Sequence, residues 1–137
     1  MKTNHMRTLT LLAGISIGLI AGQAIHAQQV KTRPAYIIAE VEKDPNKTDD
    51  PAAMKKYAEE VPKTLTAFGA QYVVTSASDK VQTLEGEAPK GFITVLVFDS
   101  VEKAHGWYYS PAYEALKPLR ENTRKSRLLL VQGVTHQ

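Results

Sequence analysis

Apolar and polar positions interleave along residues 34–42, where Ala35, Ile37, Ala39 and Val41 alternate with Tyr36, Ile38, Glu40 and Glu42. A two-residue period of this kind is that of a strand, and Asp44-Pro45-Asn46 ends it with a turn signal. Asp50 followed by Pro51 supplies a cap and a first-turn proline, predicting a helix over 51–68 that Gly69 stops. Pro62 falls inside it, where a lost N–H and a clash with the Ala58 carbonyl cost about 3 kcal/mol in an ideal helix, so a kink is expected. Strands are expected over 70–76, more weakly over 80–84, and most strongly over 91–98 after the turn at 85–89. Asp99 with Glu102 three residues on has the spacing of a capping box and opens a helix reaching Tyr109. Ser110-Pro111 opens another segment by the same cap-then-proline logic, running to about Arg124. Leu128-Leu129-Leu130-Val131 marks a last buried strand within 126–134.

The order β α β β α β points to an α+β ferredoxin-like sandwich, with helices on one face of a four-stranded sheet. The first strand is largely apolar on both faces, and the strands at 91–98 and 126–134 carry continuous apolar runs. Two helical segments cover only one side. The other side calls for a second copy of the chain, and a symmetric homodimer is the simplest arrangement.

Composition narrows the class. The chain has 137 residues, is 43% hydrophobic and 23% charged, and contains no cysteine. Those values describe a single globular domain and exclude a disulfide scaffold, thiolate metal sites and thiol nucleophiles. Residues 1–27 pair two basic residues, Lys2 and Arg7, with an apolar run over 9–20 and a small-residue stretch ending at Ala27, the pattern of a secretory signal peptide. The run is shorter than the roughly 20 residues of a membrane span. Cleavage after Ala24 or Ala27 leaves an exported, periplasmic or secreted protein that begins near Gln28, has a flexible start over 28–33, and has no stable membrane insertion. It also leaves 15 basic against 14 acidic residues, too even a balance to suggest a nucleic-acid partner. The domain is placed over 34–134, with a tail at 135–137.

From Leu84-Glu85-Gly86 through the Phe92-to-Phe98 run and Ala104 to Trp107-Tyr108-Tyr109-Ser110-Pro111-Ala112-Tyr113, then Lys117-Pro118-Leu119-Arg120 and the terminal Gly133-Val134, the chain resembles the DUF1330 family. The Trp-Tyr-x-Ser-Pro-x-Tyr run followed by Lys-Pro-Leu-Arg is the specific part, and the likeness extends over 34–134. The resemblance implies a dimeric α+β barrel, in which two ferredoxin-like sheets face each other. It implies no established reaction.

Candidate chemistry gathers in few places. Trp107, flanked by Tyr108, Tyr109 and Tyr113, either walls a small-molecule pocket or flanks a core stripe of Val101, Ala104 and Tyr108 at helical spacing, and the stripe favours packing. Ser110 reads as an N-cap rather than a nucleophile, because no His-Asp partner is recognisable. His105 reads as exposed rather than as a general base. Glu40 shares its strand face with Tyr36 and Ile38, the face that looks into a barrel; there it is either a desolvated carboxylate suited to proton transfer or a solvated group at the barrel mouth. The basic run Lys117, Arg120, Arg124, Lys125 and Arg127 reads as the solvated end of a surface helix, with anion binding as the alternative. No metal-ligand spacing appears, and no cofactor is implied.

Two functions follow. One is a non-catalytic homodimer binding a small hydrophobic or anionic molecule in a cleft, with Tyr36, Glu40, His105, Trp107, Tyr108, Ser110 and Tyr113 as candidate contacts. The other is a cofactor-independent enzyme of oxygenase, isomerase or lyase type using a barrel-facing acid or base. The discriminating feature is a buried acid or base facing a pocket: Glu40 or His105 buried in one would favour the enzyme.

Overall fold

Strand β1 (Ala35–Lys43) leads through a turn into helix α1 (Pro51–Leu65), followed by β2 (Gln71–Ser76), β3 (Phe92–Phe98), α2 (Val101–Tyr108), two short helices α3 (Pro111–Glu114) and α4 (Lys117–Glu121), and β4 (Arg124–Gln132). The computed structural model describes residues 32–134; the expected leader at 1–27, most of the 28–33 segment and the tail at 135–137 lie outside the described residues. All strand pairings are antiparallel and the order is β2-β3-β1-β4, the ferredoxin-like arrangement expected from the pattern.

Asp50 caps α1 as its spacing predicts, its carboxylate accepting the Ala53 N–H at 2.9 Å. The helix assignment runs on through Pro62, tightens to a 3₁₀ turn at Thr66–Phe68, and ends at Gly69 in the left-handed region with φ +64°. That backbone conformation suits glycine because it has no Cβ. Gly91 is fixed by space instead: a Cβ there would sit 2.0 Å from the Val41 carbonyl oxygen, so the loop into β3 presses directly on β1.

Four expectations are corrected. Residues 80–84 form no strand; a 3₁₀ turn at Ser78–Lys80 leads into loop, where the polar Gln82 and Thr83 and the Gly86 turn at φ +80° end the pairing. The cap of α2 is Ser100, whose hydroxyl accepts the Lys103 N–H, rather than Asp99, whose carboxylate instead meets the Lys103 ammonium. The stretch expected as one helix from Ser110 to Arg124 is two, because Pro118 in the first turn of α4 has no N–H to continue the ladder from α3. Finally β4 starts at Arg124, so that residue belongs to the sheet.

The core lies between the helices and one sheet face. Ala35 and Ile37 of β1, Leu96 and Phe98 of β3, Val61 and Leu65 of α1, and Ala104 and Trp107 of α2 are all buried in one cluster. On the opposite face, Tyr36 lies between Val97 and Val131, Ile38 between Val95 and Leu129, and Glu40 between Ile93 and Arg127. Leu129 and Val131 are each 44% exposed there, and Val74 of β2 is 41% exposed. Two apolar rows ending in a charged one therefore face outward.

Candidate functional site

Trp107 sits at the centre of the core, 1% exposed, rather than on the flank of a stripe. The reason is local: α2 is anchored by Ser100 so that Ala104 and Trp107 point inward together, leaving Val101 and Tyr108 partly buried. Its ring lies 4.0 Å from that of Tyr113 and 5.6 Å from Phe98. The indole N–H donates to the Thr64 hydroxyl at 2.8 Å, and that hydroxyl donates to the Val61 carbonyl at 2.7 Å. Tyr113 is fully buried and shares a 2.9 Å hydroxyl contact with Tyr57. Burial, and then the neighbouring Tyr57, push the Tyr113 phenol well above its ordinary range. Ser110 joins this block as a cap: its hydroxyl accepts the Tyr113 N–H at 3.3 Å and donates to the Trp107 carbonyl at 2.7 Å. With its proton engaged on a backbone oxygen, Ser110 holds α2 and α3 at their junction.

His105 and Tyr108 face a different space. Between α2 and β4 lies a cavity of about 220 Å³ walled by Ile37, Ala104, Leu128 and Leu130, with His105, Tyr108 and Tyr109 also lining it. His105 meets Tyr109 edge-on at 6.0 Å, and Tyr109 meets Tyr108 edge-on at 5.0 Å. Behind them the Lys117 ammonium sits 3.7 Å over the Tyr108 ring and 2.5 Å from Glu114. A cation on an aromatic face is electrostatically favoured and holds that ring in place.

Tyr36 and Glu40 lie on the far side of the sheet from this cleft. Glu40 is tied to its cross-strand neighbour, with Arg127 Nη2 at 3.0 Å from both carboxylate oxygens. It lines a broad, open hollow of about 750 Å³ closed on one side by the 81–91 loop. The sequence candidates thus divide into a core block (Trp107, Ser110, Tyr113), a cleft pair (His105, Tyr108) and a sheet-face pair (Tyr36, Glu40). The cleft walls Leu128 and Leu130 belong to a leucine run that reads only as strand core, since such a run carries no sign of a partial opening above it.

The basic run departs most from expectation. Arg120 is 3% exposed and Lys117 8%, so neither lies on a solvated face. Both are short-helix residues turned inward, Lys117 onto Tyr108 and Arg120 onto Ser126 of β4. Among the described residues, no three His, Asp or Glu side chains converge as a metal-binding group.

The same fold occurs in solved structures. A protein of unknown function from Rhodopseudomonas palustris superposes with a TM-score of 0.59 at 16% identity, over 76% of this chain and 85% of that one. A dimeric ferredoxin-like protein of unknown function from Thermobifida fusca gives 0.53 at 12%, over 74% and 92%. SnoaB, a cofactor-independent oxygenase from Streptomyces nogalater, gives 0.52 at 8%, over 77% and 96%. At these identities the likeness is one of fold. A search of curated proteins returns no match. The family model for a domain of unknown function matches residues 34–134, the whole of the sheet and its helices, and the chain accordingly belongs to the DUF1330 family.

Proposed function

We propose that the protein is an exported homodimer that binds a small apolar, ring-bearing molecule in the cleft between α2 and β4 of each copy. The cleft itself carries the reading. Its 220 Å³ exceeds the roughly 150 Å³ that holds one benzene, so it suits a single ring with short substituents. Burying about 150 Å² of ring surface at ~25 cal/mol/Å² gives at most about 4 kcal/mol, a millimolar dissociation constant from apolar contact alone. The lining residues include no carboxylate, and His105, the one imidazole among them, is exposed. That composition supports binding over proton-transfer chemistry, which would call for a partnered acid or base.

Dimerisation is supported by the outward apolar rows of the sheet and by the fold neighbour from Thermobifida fusca, itself dimeric. Export is supported by the leader pattern, and N-terminal sequencing of the secreted fraction should return a start near Gln28; recovery of Met1 from the membrane fraction would contradict it. Among the described residues no helix is long and apolar enough to cross a membrane. The binding reading is tested by titrating the isotope-labelled protein with 4-phenyl-1-butanol at millimolar concentration. Amide shifts should cluster at His105, Tyr108 and Leu130 and vanish in Leu130→Phe, which fills the cleft. Shifts confined to the 81–91 loop would contradict the site.

A further inference from the structure

Adjoining the Tyr108 ring is a second hollow, of about 390 Å³, whose lining includes Lys47, Arg120, Glu121, Arg124 and Ser126 as well as Tyr108 itself. Tyr108 and Leu128 wall both this hollow and the apolar cleft, so the two spaces adjoin across one ring and one leucine. Their chemistry differs: one is lined by aliphatic side chains and aromatic rings, the other by the cationic Lys47, Arg120 and Arg124, the Ser126 hydroxyl and the Glu121 carboxylate.

Most of those cations are already held. Lys47 donates to the Glu121 and Arg124 carbonyls at 2.8 Å each and meets Asp44 at 3.4 Å, and Arg124 pairs with Asp49 at 2.7 Å, whereas the Lys125 ammonium turns to the far sheet face, 3.1 Å from Glu42. The carboxylates of Asp44, Asp49 and Glu42 lie outside the lining, whereas Glu121 belongs to it and takes Arg120 Nη2 at 3.1 Å. Arg120 differs from the rest. It is 97% buried, its Nη1 donates to the Ser126 hydroxyl, and its Nε–H has no hydrogen-bond partner. A buried guanidinium with an unpaired donor is costly, and the charge of an anion in the hollow that Arg120 lines offsets that cost. Ser126 Oγ accepts from Arg120, so its own proton is available to the same anion.

We infer that the cleft and the basic hollow form one amphiphile site, whose ligand places an apolar ring beside His105 and Leu130 and an anionic head in the hollow against Arg120 and Ser126. The inference rests on the cleft reading above and adds the charge of the ligand to it. The incoming head competes with Glu121, which is half exposed and free to swing outward, for Nη2 of Arg120.

Calorimetry of the purified protein with 4-phenylbutyrate and with 4-phenyl-1-butanol tests this, since the two probes differ chiefly in the charged head. The carboxylate should bind about tenfold tighter or more, and added sodium chloride should erode that advantage while leaving the alcohol unchanged. Ser126→Ala and Arg120→Met should each reduce the preference; where Arg120→Met fails to fold, Ser126→Ala carries the test. Equal binding of both probes overturns the amphiphile site and leaves the apolar cleft standing. A carboxylate preference that survives Ser126→Ala and is insensitive to salt also overturns it. Binding of neither probe overturns the cleft reading and this inference with it.

Discussion

Trp107 serves the fold in two ways, through the area of its ring and through the N–H that reaches Thr64. Trp107→Ala should destabilise by about 3–5 kcal/mol, because the cavity beside Tyr113 and Phe98 cannot fully close. Trp107→Phe keeps the ring contact and loses the hydrogen bond, about 1 kcal/mol, so most of the stability should return. Urea melts of the two variants check this, and a Trp107→Ala midpoint close to wild type would show that the aromatic block is not structural. Tyr113 adds a pH signature. Its phenol is held neutral above the ordinary 10.0, first by burial and then by Tyr57. The folded state therefore keeps a proton that the unfolded state releases above about pH 10, and stability should be flat below that pH and fall as pH rises through it. Tyr72, also raised by burial and by Tyr57, contributes in the same direction. Alkaline denaturation should be less steep in Tyr113→Phe than in wild type; an identical slope would remove Tyr113 from this role.

Helix α1 contains Pro62, an exposed residue that cannot donate to the Ala58 carbonyl. Pro62→Ala should restore that bond and stabilise the protein by between about 1 and 3 kcal/mol, the lower figure reflecting the extra freedom of the unfolded chain. A thermal melt shows it directly. Elements of this kind were legible in the sequence wherever two local signals agreed: Asp50 with Pro51, Ser110 with Pro111, and the alternation along β1. Legibility failed where tertiary contact decides. Nothing local distinguishes Ser100 from Asp99 as the cap of α2, or says that Lys117 and Arg120 turn inward onto Tyr108 and Ser126. The cleft was half legible: His105 and Tyr108 stood out as chemistry-bearing residues, while Ile37, Leu128 and Leu130 were indistinguishable from ordinary core. Tyr36 and Glu40 share one strand face, as the alternation implies, but that face lies across the sheet from the cleft.

At the scale of the whole molecule, one sheet face is packed and the other presents apolar rows of Tyr36, Ile38, Val95, Val97, Leu129 and Val131. Covering those rows with a second copy completes the burial that one chain leaves unfinished, and Glu40 with Arg127 then lies at the charged end of the interface. Leu129→Glu places a charge in the middle of this surface and should yield a folded monomer, with the mass in sedimentation equilibrium falling to half that of wild type. An unchanged mass would move the interface elsewhere. Both the assembly and the binding site are read at once by soaking crystals with bromobenzene and locating the bromine by anomalous scattering. The expected result is one bromine per copy between His105, Tyr108 and Leu130, in a dimer joined sheet to sheet. Bromine in the hollow beneath the 81–91 loop or on the open sheet face, with the α2–β4 cleft left dry, would contradict the account.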